Sequence, residues 1–189
     1  MKLIVGITGA TGTVFGVRTL QVLKDAGIES HLVLSKWGAR TLLQETPYTV
    51  DYVKSLATCV YSDADQGAPI SSGSFITGGM IIAPCSVRTL AAVAHGHGDN
   101  LVHRAADVIL KERRKLVLMV REAPLNDIHL ENMLKLSRMG VVITPPVPAF
   151  YTNPQSLDDM INHIVMRALD PFGIHVDVAA RWTGLRSEA

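Results

Sequence analysis

The sequence predicts a doubly wound α/β fold, a mostly parallel sheet with helices on both faces, and three observations carry that expectation. Short runs of β-branched and aliphatic residues alternate with segments of helical length, the rhythm of repeated βαβ units. The short runs are almost wholly apolar, as strands covered on both faces must be. The 189 residues are 48% apolar and contain no repeat, low-complexity tract or dividing Pro/Gly/Ser linker, so one core suffices. A single domain over 1–189 is expected, with a polar C-terminal tail from about residue 170.

In chain order, Leu3 to Thr8 reads as the first strand and Val14 to Ala26 as a helix, with apolar residues three and four apart and Gly27 just past its end. His31 to Leu34 is the second strand and Lys36 to Glu45 the second helix. Ala64 to Thr77 is turn-rich and is expected to be an insertion or a binding loop. Met80 to Ala83 is a strand, followed by helices over Ser86 to Ala94 and Asn100 to Arg114. Leu116 to Arg121 is a strand after which Ala123-Pro124 breaks the chain. Ile128 to Met139 is a helix stopped by Gly140, and Val141 to Thr144 a short strand. Pro145-Pro146-Val147-Pro148-Ala149-Phe150-Tyr151 is expected to be stiff and extended, because proline fixes φ and removes a donor. A last helix, from about Ser156 to Leu169, precedes the tail with Arg181 and Trp182.

Charge and cysteine usage narrow the function classes. Lys and Arg number 18 against 17 Asp and Glu, a net charge of +1 without blocks of one sign, which argues against a nucleic-acid or anionic-membrane surface. The longest apolar runs, Met80 to Ala83 and Leu116 to Val120, fall far short of the roughly 18 to 20 residues a bilayer requires. Met1-Lys2-Leu3-Ile4-Val5-Gly6 turns to glycine too early for a signal-peptide core, and a cytoplasmic protein is expected. Cys59 and Cys85 fit neither a disulfide framework nor a zinc spacing, so both are expected as free thiols. His95-Gly96-His97 and His129-Leu130-Glu131 lack companion ligands of recognisable spacing, and no metal site is expected.

The chemistry-bearing residues gather at predicted strand ends, where ligands of such folds bind. Gly6-Ile-Thr-Gly9-Ala10-Thr11-Gly12 turns the first strand into a helix and offers backbone N–H groups to a phosphate. Its spacing lacks the G-x-G of the dinucleotide fingerprint, and Ser35-Lys36 stands where an NAD enzyme places an acid. NAD is therefore disfavoured and NADP left open; a tight turn with glycines for packing alone is the competing reading. Pro84-Cys85-Ser86-Val87-Arg88-Thr89 opens a second helix at the same edge, although an N-cap alone explains Ser86. Two such helix ends suit a ligand with both a phosphate and a polar ring, the shape of flavin mononucleotide. Cys85 is a nucleophile only if a base stands near it, and none is evident locally. Arg104, Asp107 and Lys111 share one helix face, which a solvated stripe would also explain. Arg121 and Glu122 at a strand end, Tyr151 on the proline segment and Arg167 on the last helix complete the candidates.

Thr8-Gly9-Ala10-Thr11-Gly12, Ser71-Ser72-Gly73-Ser74-Phe75, Pro84-Cys85-Ser86, Arg104-Ala105-Ala106-Asp107-Val108, Leu110-Lys111-Glu112-Arg113-Arg114, Arg121-Glu122-Ala123-Pro124-Leu125 and His129-Leu130-Glu131-Asn132-Met133 occur in this order. With the proline segment and Arg181-Trp182, the chain resembles the UbiX-like flavin prenyltransferase family over nearly its whole length. Within it, the chain looks most like the members associated with bacterial phenolic or hydroxyarylic acid decarboxylases. The motifs are individually weak; their order and spacing are specific.

The resemblance implies a Rossmann-like flavoprotein that joins dimethylallyl monophosphate to reduced FMN at N5 and C6, without a metal. Its prenylated FMN would serve a UbiD-type aromatic acid decarboxylase. Carried over residue by residue, Gly9, Ala10, Thr11, Ser35, Ser86, Val87, Arg88, Thr89 and Arg121 would contact FMN. Arg104, Lys111, Tyr151 and Arg167 would hold the prenyl phosphate, with Trp182 sheltering the electron-poor prenyl fragment. Glu122 is the candidate acid for the departing phosphate, and Thr11 with Glu45 the implied relay for the flavin proton. Thr11 departs from the serine common in the family, and its β-branch narrows χ1. The resemblance also implies a homo-oligomer, a dodecamer, whose sites neighbouring subunits complete. Two alternatives stay open: a flavin-dependent cysteine decarboxylase, which needs no cation cluster, and a non-catalytic flavin-carrying component of a decarboxylase, which needs no acid.

Overall fold

The computed structural model describes residues 1–184. Six strands form one sheet in the order β3-β2-β1-β4-β5-β6. They are β1 (Lys2–Ile7), β2 (Glu29–Leu34), β3 (Cys59–Tyr61), β4 (Gly79–Cys85), β5 (Lys115–Val120) and β6 (Val142–Ile143). Every neighbouring pair is parallel, with Ile4 of β1 level with His31 of β2 on one side and Met80 of β4 on the other. Chain order reverses direction between β1 and β4, and that is where a parallel sheet opens a crevice at its carboxyl edge.

Seven α-helices cover the sheet among the described residues: α1 (Thr13–Asp25), α2 (Lys36–Glu45), α3 (Val50–Leu56), α4 (Val87–His95), α5 (Leu101–Lys111), α6 (Asp127–Arg138) and α7 (Leu157–Leu169). Strand side chains alternate between two cores, as their period of two requires. Leu3, Val5 and Ile7 pack with Leu20 of α1 and Val165 of α7 on one face. Ile4, Met80 and Ile82 pack with Leu90 of α4 and Val102 of α5 on the other. Two glycines set the first crossover. Gly12 takes φ 94°, the left-handed region, to turn into α1. A Cβ on Gly16 would lie 2.3 Å from the Ala83 carbonyl oxygen, so α1 approaches the sheet as closely as glycine permits.

The expected doubly wound architecture is present, with three departures. α3 and β3 occupy a stretch that carried no expected element. The helix expected to run to Arg114 ends at Lys111, because Arg113 takes φ 56° and Arg114 donates to the carbonyls of Phe75 and Gly73 at 2.9 and 2.6 Å. The expected strand Val141 to Thr144 keeps only Val142–Ile143 as strand. Just past residue 170 the chain stays on the body: Phe172, Ile174 and Val176 pack with the first core. No helix among the described residues is long and apolar enough to cross a membrane.

Candidate functional site

A cavity of about 530 Å³ opens at the carboxyl edge of the sheet, and loops after five of the six strands line it. The β1 loop contributes Thr8, Gly9, Ala10 and Thr11, and the β2 loop Ser35, Lys36 and Trp37. Asp63 follows β3; Ser86, Val87, Arg88 and Thr89 follow β4; Arg121 and Glu122 follow β5. All nine residues expected to contact a flavin, and the expected acid Glu122, therefore line one space. Asn100 and His103 reach it from the start of α5.

Thr8, to which no sequence pattern assigns a role, ties the two sides of the crevice together. Its hydroxyl donates to the Pro84 carbonyl at 2.8 Å and accepts from the Ser86 N–H at 2.9 Å. The β1 and β4 loops are thereby locked where the chain order reverses. Ser35, Ser86 and Asn100 each cap a helix, accepting from the N–H of Gly38, Thr89 and His103 at 3.0, 3.2 and 3.0 Å. The capping role expected for Ser86 is real, and it brings the N-terminus of α4 to the cavity. The Ser86 hydroxyl also donates to Thr89 Oγ1 at 3.1 Å.

Glu45, at the end of α2, reaches back to the glycine turn. Its carboxylate accepts from the N–H of Gly12 at 2.9 Å, and from the N–H and hydroxyl of Thr13 at 3.2 and 3.1 Å. Burial pushes its pKa up, but hydrogen bonds from Thr11, Gly12 and Thr13 outweigh that and hold the carboxyl below its ordinary value. The Glu45 carboxylate is thus anchored at the positive end of α1, next to Thr11, the residue expected to act with it. Glu122 accepts from the N–H of Ala123 at 3.1 Å. Cys85 is fully buried, and burial pushes its thiol far up, so it is a packing residue.

The four residues expected to hold a prenyl phosphate do not line this cavity within one chain. Arg104 donates to the Ser71 carbonyl at 3.1 Å and to Asp107 at 2.8 Å, and Lys111 pairs with Glu112. Both stand on α5 beside the 71–75 loop. Tyr151 and Arg167 belong to a third location. The Tyr151 hydroxyl meets His163 Nε2 at 3.0 Å, and its ring meets Trp182 edge-on at 5.5 Å between centroids. Asp170 gathers Arg181 at 2.9 Å, His175 at 3.2 Å and Arg167 at 2.6 Å. Arg181 foremost holds the Asp170 carboxyl low; burial opposes this, while His175 and Arg167 add to it. The result is a cluster of two arginines and a histidine around one carboxylate, with the Tyr151–His163 pair close enough for its charges to be felt.

Two of the histidines weighed as metal ligands have partners within the fold. His95 Nε2 bonds Asn132 at 2.9 Å, and His129 completes a capping box with Asn126. Among the described residues, Glu29, His31 and Cys59 place metal-type donor atoms within 4.8 Å of one another, a grouping between β2 and β3 that sequence spacing gave no reason to suspect. Both nitrogens of His31 are already engaged, by Glu29 at 3.0 Å and Tyr61 at 2.9 Å.

A flavoprotein family model matches residues 1–169. A probable UbiX-like flavin prenyltransferase of Bacillus subtilis is 59% identical over 188 residues, covering 100% of this chain and 92% of that protein. The solved structure of AnUbiX (PadA1) in complex with FMN and dimethylallyl pyrophosphate superposes with a TM-score of 0.97 at 48% identity, covering 98% of each chain. A dodecameric FMN-dependent UbiX-like decarboxylase from Escherichia coli O157:H7 gives 0.95 at 57% identity, covering 97% of this chain and 100% of that one.

Proposed function

The chain belongs to the UbiX-like flavin prenyltransferases within the flavoprotein family, and from that premise we infer that it transfers a dimethylallyl group to reduced FMN. The observation that carries this reading is the convergence of the nine flavin candidates and Glu122 on one cavity at the sheet's switch point. The 59% identical Bacillus subtilis relative is described as a probable flavin prenyltransferase, which does not favour a cysteine decarboxylase, and a carrier of flavin has no need of the Arg167–Arg181 cluster.

The cavity suits FMN on chemical grounds. The N-termini of α2 and α4 present backbone N–H groups, Thr11, Ser86 and Thr89 present hydroxyls, and Arg121 adds a fixed cation. Bound and reduced, FMN supplies N5 and C6 as the two atoms to be alkylated. The chain must then neutralise a leaving phosphate and shelter an allylic cation. We assign the first task to Arg104, Lys111, Tyr151 and Arg167 and the second to Trp182, because fixed cations lower the cost of a developing anion in a dry site. To Glu122, which lines the cavity, we assign protonation of the departing phosphate. Thr11 and Glu45 would take the C6 proton: the Glu45 carboxylate is kept ionised and therefore able to accept.

These groups come together only if neighbouring chains complete each other's sites, so we propose a homo-oligomer whose α5 and C-terminal clusters face an adjacent cavity. The dodecameric relative supports this. The donor we propose is dimethylallyl monophosphate, and the recipient of the prenylated flavin is a UbiD-type aromatic acid decarboxylase. A cytoplasmic setting agrees with the free thiols of Cys59 and Cys85. Incubation with reduced FMN and dimethylallyl mono- or pyrophosphate under anaerobic conditions, followed by mass spectrometry, tests the reading. Flavin heavier by one five-carbon unit is expected with the monophosphate; unmodified FMN with both donors would remove the enzyme assignment.

A further inference from the structure

Among the cavity residues to which the sequence gave no role is a buried histidine. His103 sits in the first turn of α5, its backbone N–H held by the Asn100 side chain at 3.0 Å. Its side chain is 3% exposed, it lines the cavity, and Nδ1 has no hydrogen-bond partner. The chain's other buried histidines behave differently. His31 uses both ring nitrogens, toward Glu29 and Tyr61, and His163 is bonded to Tyr151. Those two are satisfied by the fold itself. A buried polar atom without a partner is unfavourable and uncommon; Nδ1 is sealed from the empty cavity, so the ring meets a ligand there either by turning about χ2 or through Nε2, which has no hydrogen-bond partner among the described residues either.

We infer that His103 is a flavin-binding residue, its ring making a hydrogen bond to a polar heteroatom of the bound flavin. This rests on the prenyltransferase reading and adds to it a contact outside the carried-over set. The ring's protonation state agrees. Burial pushes its pKa down, Asp99 acts upward, and Arg88 and His97 push it down further, so the imidazole is neutral near pH 7. A neutral imidazole offers one N–H donor and one acceptor nitrogen, which matches the mixed donor and acceptor edge of a flavin. The influence of Arg88 places the ring near the start of α4.

The test titrates FMN and riboflavin into the full-length protein, following quenching of flavin fluorescence, for wild type, His103→Leu and His103→Gln. We expect His103→Leu to weaken FMN binding about tenfold, the usual effect of losing one well-placed hydrogen bond, and His103→Gln to recover most of it. The thermal midpoint of flavin-free His103→Leu should equal or exceed that of wild type, because leucine removes an unpaired buried nitrogen. An equal loss for riboflavin places the contact on the ring or ribityl chain; a loss confined to FMN places it on the phosphate. Wild-type affinity in His103→Leu overturns the assignment and leaves the prenyltransferase reading intact. A lowered flavin-free midpoint, without rescue of binding by glutamine, also overturns it in favour of a structural role. Wild-type protein that binds no FMN overturns the prenyltransferase reading itself, and this assignment with it.

Discussion

The flavin cavity and the cluster around Asp170 are built on opposite plans. The cavity is complete within one chain: consecutive strand ends deliver their loops to one edge, and Thr8 locks two of those loops together. The Asp170 cluster is internally ordered, with Arg167, His175 and Arg181 around one carboxylate and Tyr151 held by His163, yet it lines no part of that cavity. A parallel sheet makes the first kind of site by its topology alone. The second kind becomes a site only when another surface closes on it. On this contrast we propose that flavin binding draws chiefly on the single chain and prenyl transfer on the assembly.

The largest expected effect tests that division directly. Glu122→Gln should lower turnover by roughly 10² to 10⁴ as a lost general acid, while FMN still binds. Arg167→Ala should lower it by a comparable factor through loss of a phosphate cation. Co-expressed in one oligomer, the two inactive chains should recover about a quarter of wild-type activity, because random pairing places an intact cavity against an intact cluster that often. Absence of recovery would place both residues in one chain's site and break the comparison.

Lys111→Ala should have the next largest effect. Loss of a cation that can bond the donor phosphate raises donor KM about tenfold, whereas the FMN dissociation constant changes less than about twofold. Equal losses would assign Lys111, which stands beside the 71–75 loop, to holding that loop and not the donor.

How far each region was legible in the sequence follows from the same contrast. The Gly9–Thr11 turn and the Ser86 cap are local features, written within a few residues, and they stand where their patterns placed them. Thr8 and His103 line the same cavity but owe their roles to neighbours distant in sequence: Pro84 for Thr8, and the seating of α5 beside α4 for His103. No local pattern encodes such contacts. α3 escaped notice because its seven residues are capped by Thr49 alone and bury just Val53 and Leu56. β3 is three residues long at the sheet edge, with Val60 exposed, so it shows none of the apolar density that marked the inner strands. Asp170 gathers residues from α7 and from the tail, and nothing beside it in the chain announces that it will.

A smaller effect is expected at Asp170. Its folded pKa lies below the ordinary value of 3.8, so the stabilisation it gives is complete above that value and is lost as pH falls through the lower folded one. Asp170→Asn should lower the thermal midpoint at pH 7 by roughly 2 to 6 °C, as expected for charge-assisted bonds in a chain of this size. The gap between variant and wild type should stay constant from pH 7 down to about 4 and close below it. A gap that closes between pH 5 and 7 would mean that a histidine, and not the carboxylate, governs the cluster.

Smallest of all should be the change from Thr11 to serine. Glu45 is anchored by three donors, the Gly12 and Thr13 backbone groups and the Thr13 hydroxyl, and the Thr11 hydroxyl adds to holding its carboxyl low. Serine keeps the hydroxyl and relaxes only the χ1 restriction of the β-branch, so turnover should stay within about threefold of wild type. Thr11→Val removes the donor and keeps the shape. It should lift the Glu45 pKa toward its ordinary value of 4.5, moving the acid limb of the rate profile upward in pH. If Thr11→Ser and Thr11→Val behave alike, the hydroxyl carries no proton and Glu45 serves chiefly to staple α2 to the glycine turn. The cavity would then bind flavin through its loops alone, and the proton would have to leave by another group.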